Sequence, residues 1–348
     1  MSDSKGFVGL NASGGLTIGP RLGVALAGGL YLLWAYLLFS PHYHKLSGFK
    51  FLYLVNSIAA AFGVFVLSRR WLAGWTPSAL AGLFYGFGPF GLSFTGFHPV
   101  AGLTFAAVPW LLLPAVYWHH GRQPSLFRFG VRAILCAVPF VFIAGFFWVL
   151  SRPWFGPLFL LPSNMTLNAY DFKGLLLPLS MTGRPVVLGL YHVGLLTALM
   201  GLFVYLSVQR VAALIPAIVG LVLAFLDPVC RVSPVIWVAL PMVFLAILAG
   251  LGVQALLWAG KTDSKWLLAC MFVGLLLGGV SLALYLPHKA ALYKNPALFY
   301  LVASVGIGVI FLLTRKGFRW LLLRWIMLVA VAVTDGFLSA RWLVDRLL

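Results

Sequence analysis

Long uninterrupted apolar stretches are the feature that most restricts how this chain can fold. A stretch of about 17–25 apolar residues is long enough to cross a bilayer as an α-helix, because the hydrocarbon core is about 30 Å thick. The chain of 348 residues is 62% hydrophobic and 9% charged, which is more apolar surface than a soluble protein buries. We therefore predict an all-α, polytopic integral membrane protein with about eleven transmembrane helices. The predicted spans are residues 22–40, 51–67, 74–95, 100–118, 133–150, 187–208, 211–226, 233–258, 266–286, 296–314 and 319–338.

The charged residues indicate how the chain is organised and oriented. It has 24 Lys and Arg residues against 6 acids, all of them aspartate. The basic residues lie in short connections, so their excess indicates membrane topology and attraction to lipid headgroups rather than nucleic-acid binding. The compact basic clusters predict an inner (cytoplasmic-type) membrane protein with a cytoplasmic N-terminus and an external C-terminus. Residues 1–20 are expected to form a flexible cytoplasmic tail, and residues 21–348 a single transmembrane helical domain.

Residues 152–185 form the longest segment that does not fit a simple membrane span. Pro and Gly interrupt it repeatedly, and it carries Asp171, one of the six acids in the chain. Under the predicted topology this segment lies on the external side. We expect an external, partly helical segment, and we favour a packing or docking surface over a catalytic lid.

Few polar side chains are placed to carry chemistry outside the bilayer. Asp171 and Asp227 are predicted on the external side and are the candidate catalytic acids if the protein is an enzyme. Asp227 also fits an ordinary turn acid followed by proline, and Asp335 is expected to pair with Arg341. The external basic residues proposed to hold a lipid phosphate are Arg184, Arg231 and Lys45. The candidate metal or cofactor ligands are His42, His44 and His192.

Two stretches resemble a known superfamily of membrane enzymes. In residues 69–118, a small-residue helix runs into the aromatic-Gly-Pro-Phe segment Tyr85–Phe90. In residues 175–256, an external turn with Pro and Arg precedes a helix that ends in Leu248–Gly252. Together they resemble the GT-C superfamily, polytopic glycosyltransferases that use polyprenyl-phosphate sugars. The resemblance implies a GT-C-like helical core and a catalytic acid on the first external loop.

The first external loop departs from that family pattern. Residues 41–50, with the sequence PHYHKLSGFK, form a short loop without an acid. Our leading interpretation is a non-catalytic accessory or structural subunit of a larger membrane complex, built on a degenerate GT-C-like fold. Its expected partners are membrane lipids and other membrane subunits, and no cofactor is clearly implied. The alternatives are a lipid-linked-sugar glycosyltransferase on the external face, which would use a divalent metal, a transporter or flippase, and a pigment- or haem-binding subunit.

Overall fold

The chain is helical through the part that the computed structural model describes. The described residues are 20–46, 50–71, 74–97, 99–117, 126–150, 201–202, 214–229, 232–259, 264–288, 291–315 and 321–348. Their α-helices, in chain order, are α1 Pro20–Phe39, α2 Phe51–Trp71, α3 Trp75–Gly86, α4 Pro89–Phe97, α5 Pro99–Tyr117, α6 Leu126–Leu150, α7 Ile215–Phe225, α8 Ala239–Trp258, α9 Ser264–His288, α10 Ala291–Arg315 and α11 Leu321–Leu347. The 3-10 helix Ser40–Lys45 extends α1, and the 3-10 helix Pro234–Val238 precedes α8.

These helices confirm the predicted all-α class. Six helical segments within the described ranges are long and apolar enough to cross a membrane. In such a segment the backbone satisfies its own polar groups, so only the side chains have to match the lipid. The structure is therefore that of a multi-pass membrane protein, while the total of about eleven spans remains a prediction because one predicted span, residues 187–208, lies almost wholly outside the described residues.

Helix α8 is the centre of the bundle. Nearly all of its side chains are buried, whereas most other long helices expose one face. Neighbouring backbones approach it through glycines: a Cβ on Gly250 would meet the Pro77 carbonyl oxygen, and one on Gly201 would meet that of Leu248. Helix association inside a membrane depends on such close packing, since lipid chains are as apolar as the side chains they replace.

The predicted third span, residues 74–95, is broken rather than continuous. Helix α3 ends at Gly86, and α4 begins at Pro89 after a bend at Phe87 and Gly88. Proline is tolerated at the first helical position because that N–H has no partner inside the helix. Tyr85, beside the break, donates its hydroxyl to the Phe105 carbonyl oxygen at 2.9 Å, and the two rings stack at 4.0 Å. The aromatic-Gly-Pro-Phe segment therefore packs as buried core.

Small residues in the N-terminal helices serve the close packing that their composition predicts. A Cβ on Gly82 would meet the Tyr31 hydroxyl, and one on Gly86 would meet the Ser57 carbonyl oxygen. Helices α1, α2 and α3 thus approach each other at the distance that glycine permits. By contrast, α6 and the hairpin of α9 and α10 expose broad apolar faces. Lipid or other membrane helices can cover those faces.

Candidate functional site

The first and last helices meet in a regular register that ends in a charged cluster. Trp34 contacts Phe337 with ring centroids 5.4 Å apart. One turn further along both helices, an Nη of Arg341 lies 3.3 Å from the carbonyl oxygens of Leu37 and Leu38. One turn further again, His42 lies beside Asp345. Residue numbers increase in the same direction along both helices through these contacts, so α1 and α11 run parallel.

The local sequence explains why Arg341 is needed at the end of α1. In a continuous helix the Leu37 carbonyl would accept the N–H of residue 41, but that residue is proline and has no N–H. The chain tightens into the 3-10 helix Ser40–Lys45 after α1, which redirects the following donors to nearer carbonyls. Arg341 supplies the missing donor, and its positive charge suits the negative end of the α1 dipole.

Asp345 joins Arg341 to His42. The Arg341 Nε lies 3.0 Å from Oδ1 and 3.1 Å from Oδ2 of Asp345, which is one turn further along α11. The His42 Nε2 lies 2.7 Å from Asp345 Oδ1, although the two residues are 303 positions apart. The imidazole is 15% exposed and the carboxylate 43% exposed. The cluster, which we call the His42–Arg341–Asp345 junction, therefore stands at the boundary of the bundle rather than in its core.

A second arginine near the beginning of α11 makes the equivalent contact with α8. An Nη of Arg324 donates to the Ala259 carbonyl oxygen at 2.9 Å and approaches that of Leu257 at 3.5 Å. Arg324 is only 3% exposed. These carbonyls belong to the C-terminal end of α8, where helix carbonyls lack partners within the helix. The last helix thus caps α8 near its own beginning and α1 near its own end.

The spacing of the two arginines matches the thickness of a membrane. Arg324 and Arg341 are seventeen positions apart, which corresponds to about 26 Å along an α-helix. A hydrocarbon core measures about 30 Å. The C-terminal ends of α1 and α8 therefore lie toward opposite boundaries of the bundle. Although α11 is more polar than the other long helices, its described arginines, Arg324 and Arg341, lie at the two levels where helix ends need a donor.

The predicted site residues have different outcomes in this arrangement. His44 and Lys45 lie exposed on the 3-10 helix next to the junction, and Asp227 lies exposed just after α7. His42 pairs with Asp345 at 2.7 Å. Arg341 pairs with Asp345, because the one-turn spacing brings the two side chains together. The side chain of Asp335 lies outside the described part of the structure, so its predicted pairing with Arg341 stays a prediction. The predicted residues outside the described part of the chain are Asp171, Arg184, His192 and Arg231.

The junction also contains residues that the sequence interpretation did not select. Arg341 and Asp345 carry its geometry, and neither is among the site residues predicted from the sequence. The one-turn spacing of Arg341 and Asp345 and the proline at position 41 are the two sequence signals that point to it. Within the described ranges, no group of three or more His, Cys, Asp or Glu side chains is placed to hold a metal ion.

Comparison with known proteins provides no relative from which a role could be transferred. No family model, no curated protein and no solved structure matches the chain. The GT-C resemblance of residues 69–118 and 175–256 therefore stays a prediction. The chemistry of the junction itself is to connect the ends of α1 and α11 and to hold one imidazole against a carboxylate.

Proposed function

We propose that the protein is a non-catalytic structural subunit of a larger membrane complex, built on a degenerate GT-C-like helical core. The observation that carries this proposal is the contact between His42 and Asp345. The GT-C resemblance expects a catalytic acid in the first loop, and this chain has instead a histidine that ties the loop to the last helix. The polar group at that position contributes to architecture.

The described arginines of α11 support the same interpretation. Arg324 and Arg341 each satisfy the carbonyls at the end of a neighbouring helix. A buried or half-buried charge is costly in a membrane unless it is paired, so a chain with few charges places them where they stabilise most. Here Arg324 connects α11 to α8, and Arg341 connects α11 to α1. A helical bundle that is cross-connected in this way suits a subunit that positions other membrane proteins.

Helix α6 offers the most open surface for such a partner. Its segment Phe129–Val149 is long and apolar enough to cross a membrane, and the α6 side chains Phe127, Val141 and Trp148 are all at least half exposed. Its inner face packs on the core through Ile143 and through Phe140, whose ring stacks on Trp237 at 5.7 Å. The chain continues from α6 directly into residues 152–185, the segment that the sequence predicts to be a docking surface.

Site-specific photo-cross-linking in cells tests this proposal. A photoreactive amino acid at Val141, which is 70% exposed, is expected to capture one membrane protein reproducibly. The matched control carries the same amino acid at Val302 of α10, which is 58% exposed. Capture of lipid alone from both positions, in cells that express the chain from its own locus, would contradict a subunit that docks through α6.

A lipid-linked-sugar glycosyltransferase is the second candidate, because one observation favours it. A carboxylate that holds an imidazole by one nitrogen is the arrangement by which enzymes orient a general base. In this hypothesis His42 would accept the proton of the acceptor hydroxyl, and Asp171 or Asp227 would complete the external site. A transfer assay with polyprenyl-phosphate sugars compares the parent protein with His42→Gln, Asp171→Asn and Asp227→Asn. Activity that is lost in one of these variants would replace the structural proposal.

A further inference from the structure

The 3-10 helix after α1 and the beginning of α2 form an exposed cationic surface beside the junction. Lys45 lies at the end of the 3-10 helix and Lys50 immediately before α2, and both are exposed. His44 and Tyr43 are exposed between them and α1, and Tyr43 is 79% exposed. We call Tyr43, His44, Lys45 and Lys50 the lysine patch. The connection between the two helices is short, so these side chains share one end of the bundle.

The charges of the lysine patch are not balanced from within the described structure. The nearby carboxylate is Asp345, which Arg341 and His42 already engage. Within the described ranges, neither Lys45 nor Lys50 has a carboxylate at ion-pair distance. Two ammonium groups therefore remain available at this surface. An anion that approaches them would gain attraction from both without displacing an existing pair.

Exposed aromatic side chains lie on the helices that flank the lysine patch. Tyr36 on α1 is 68% exposed and Phe51 at the beginning of α2 is 52% exposed. Tyrosine and tryptophan side chains are enriched at the level of the lipid headgroups, which suits Tyr36 to that level. On the membrane side of Tyr36, α1 exposes Leu32 and Leu33, which are suited to acyl chains. The patch thus combines cations at headgroup level with an apolar face below.

We propose that the lysine patch binds the headgroup of an anionic phospholipid. Lys45 and Lys50 would donate charge-assisted hydrogen bonds to the phosphate, and the Tyr43 hydroxyl provides a further donor. The acyl chains would lie along Leu32 and Leu33. The junction anchors the 3-10 helix through His42, so the patch is held in place before the lipid arrives, which lowers the entropic cost of binding. This site does not depend on whether the protein is a subunit or an enzyme.

Lipid retention by the full-length protein tests the proposal. Native mass spectrometry in mild detergent would compare phosphatidylglycerol with phosphatidylcholine of identical acyl chains. The patch variant is Lys45→Gln with Lys50→Gln. The matched control, Lys265→Gln with Lys294→Gln, removes two exposed lysines from the beginnings of α9 and α10. Each patch lysine is expected to contribute about fivefold in affinity, so the patch variant should bind phosphatidylglycerol about 25-fold more weakly.

The comparison has results that overturn the proposal. Equal retention of the two lipids by the parent protein would remove the selectivity on which the site rests. An equal loss in the control variant would show a general effect of net charge. Displacement of phosphatidylglycerol by inorganic phosphate at the same concentration would assign the patch to a free anion instead. All four lysines are exposed, so unchanged unfolding of both variants is the expected check on their structure.

Discussion

Replacement of Arg324 by methionine is the sharpest test of how the bundle is held together. The guanidinium is almost completely buried and donates at 2.9 Å to the Ala259 carbonyl oxygen. A hydrogen bond from a charged donor contributes about 1.5–3 kcal/mol. Its position at the C-terminal end of α8 adds up to about 2 kcal/mol through the helix dipole. The contact to Leu257, at 3.5 Å, is at the distance limit and adds little.

A compensating effect reduces the expected loss for Arg324→Met. Removal of a buried charge also removes its desolvation cost, which in some proteins exceeds the attraction of the pair. Methionine keeps most of the apolar stem and therefore most of the packing. The carbonyls at the end of α8 would nevertheless lose their donor in a water-poor environment, which is the larger penalty. We expect a net destabilisation of about 2 kcal/mol.

Equilibrium unfolding in mixed SDS and mild detergent, followed by tryptophan fluorescence, measures this change. Arg324→Met should unfold at a lower SDS fraction than the parent protein. Arg324→Lys should unfold at an intermediate SDS fraction, because lysine keeps the charge but has one ammonium group in place of the several N–H donors of the guanidinium. Lys265→Met, on an exposed side chain, is the matched control. A methionine variant as stable as the parent, or more stable, would refute the reasoning, since desolvation would then outweigh the cap.

Three further predictions follow from the packing and the junction. Asp345→Asn should lower stability by about 1 kcal/mol or less because the carboxylate is 43% exposed, and the deficit should shrink in high salt; a deficit that salt leaves unchanged would contradict an electrostatic role. Gly86→Leu should cost about 1–3 kcal/mol because a Cβ there meets the backbone of α2, while Gly29→Leu, with open space around its Cβ, should be nearly neutral; equal effects would argue against close helix packing. In a background without native cysteines, Lys45→Cys and Lys265→Cys should react with an impermeant thiol reagent from opposite sides of the membrane, because α11 contacts the end of α1 through Arg341 and the end of α8 through Arg324; reaction from one side would contradict an α11 that crosses the membrane between these two contacts.

The helical part of the fold was readable from the sequence because apolar length is a direct physical requirement of a membrane span. The predicted span 100–118 is Pro99–Tyr117 in the structure, and 51–67 is Phe51–Trp71. Arg69 and Arg70 extend the helix that begins at Phe51. The Arg69 guanidinium carbon lies 4.2 Å from the centroid of the Trp75 ring. Charged residues at a helix end thus continued a helix that hydropathy alone ended early.

The break between α3 and α4 and the true end of α11 were not predicted. Phe87, Gly88 and Pro89 lie within one apolar run, so hydropathy does not mark the bend there. The last predicted span ended at residue 338, but α11 continues to Leu347. Its final turns carry charged residues among apolar ones and are stabilised by contacts with α1, which hydropathy does not represent.

The junction itself could be read only in part. His42 was selected as a polar residue in the first loop, but its partner Asp345 is 303 positions away and nothing local connects them. The role of Arg341 depends on the carbonyls of Leu37 and Leu38, which are backbone groups and leave no signature in composition. Pairings of this kind follow from the packing of α1 beside α11, which the sequence does not specify without the fold.

The mass of the intact particle tests the proposed role most directly. The tagged chain, expressed from its own locus, would be extracted with its surrounding lipid into polymer-bounded nanodiscs and weighed by native mass spectrometry. A structural subunit predicts a particle that contains the 38.0 kDa chain and at least one other membrane protein in fixed stoichiometry. A particle with this chain as its only protein, which also transfers sugar from a polyprenyl-phosphate donor, would contradict the proposal and establish the enzyme.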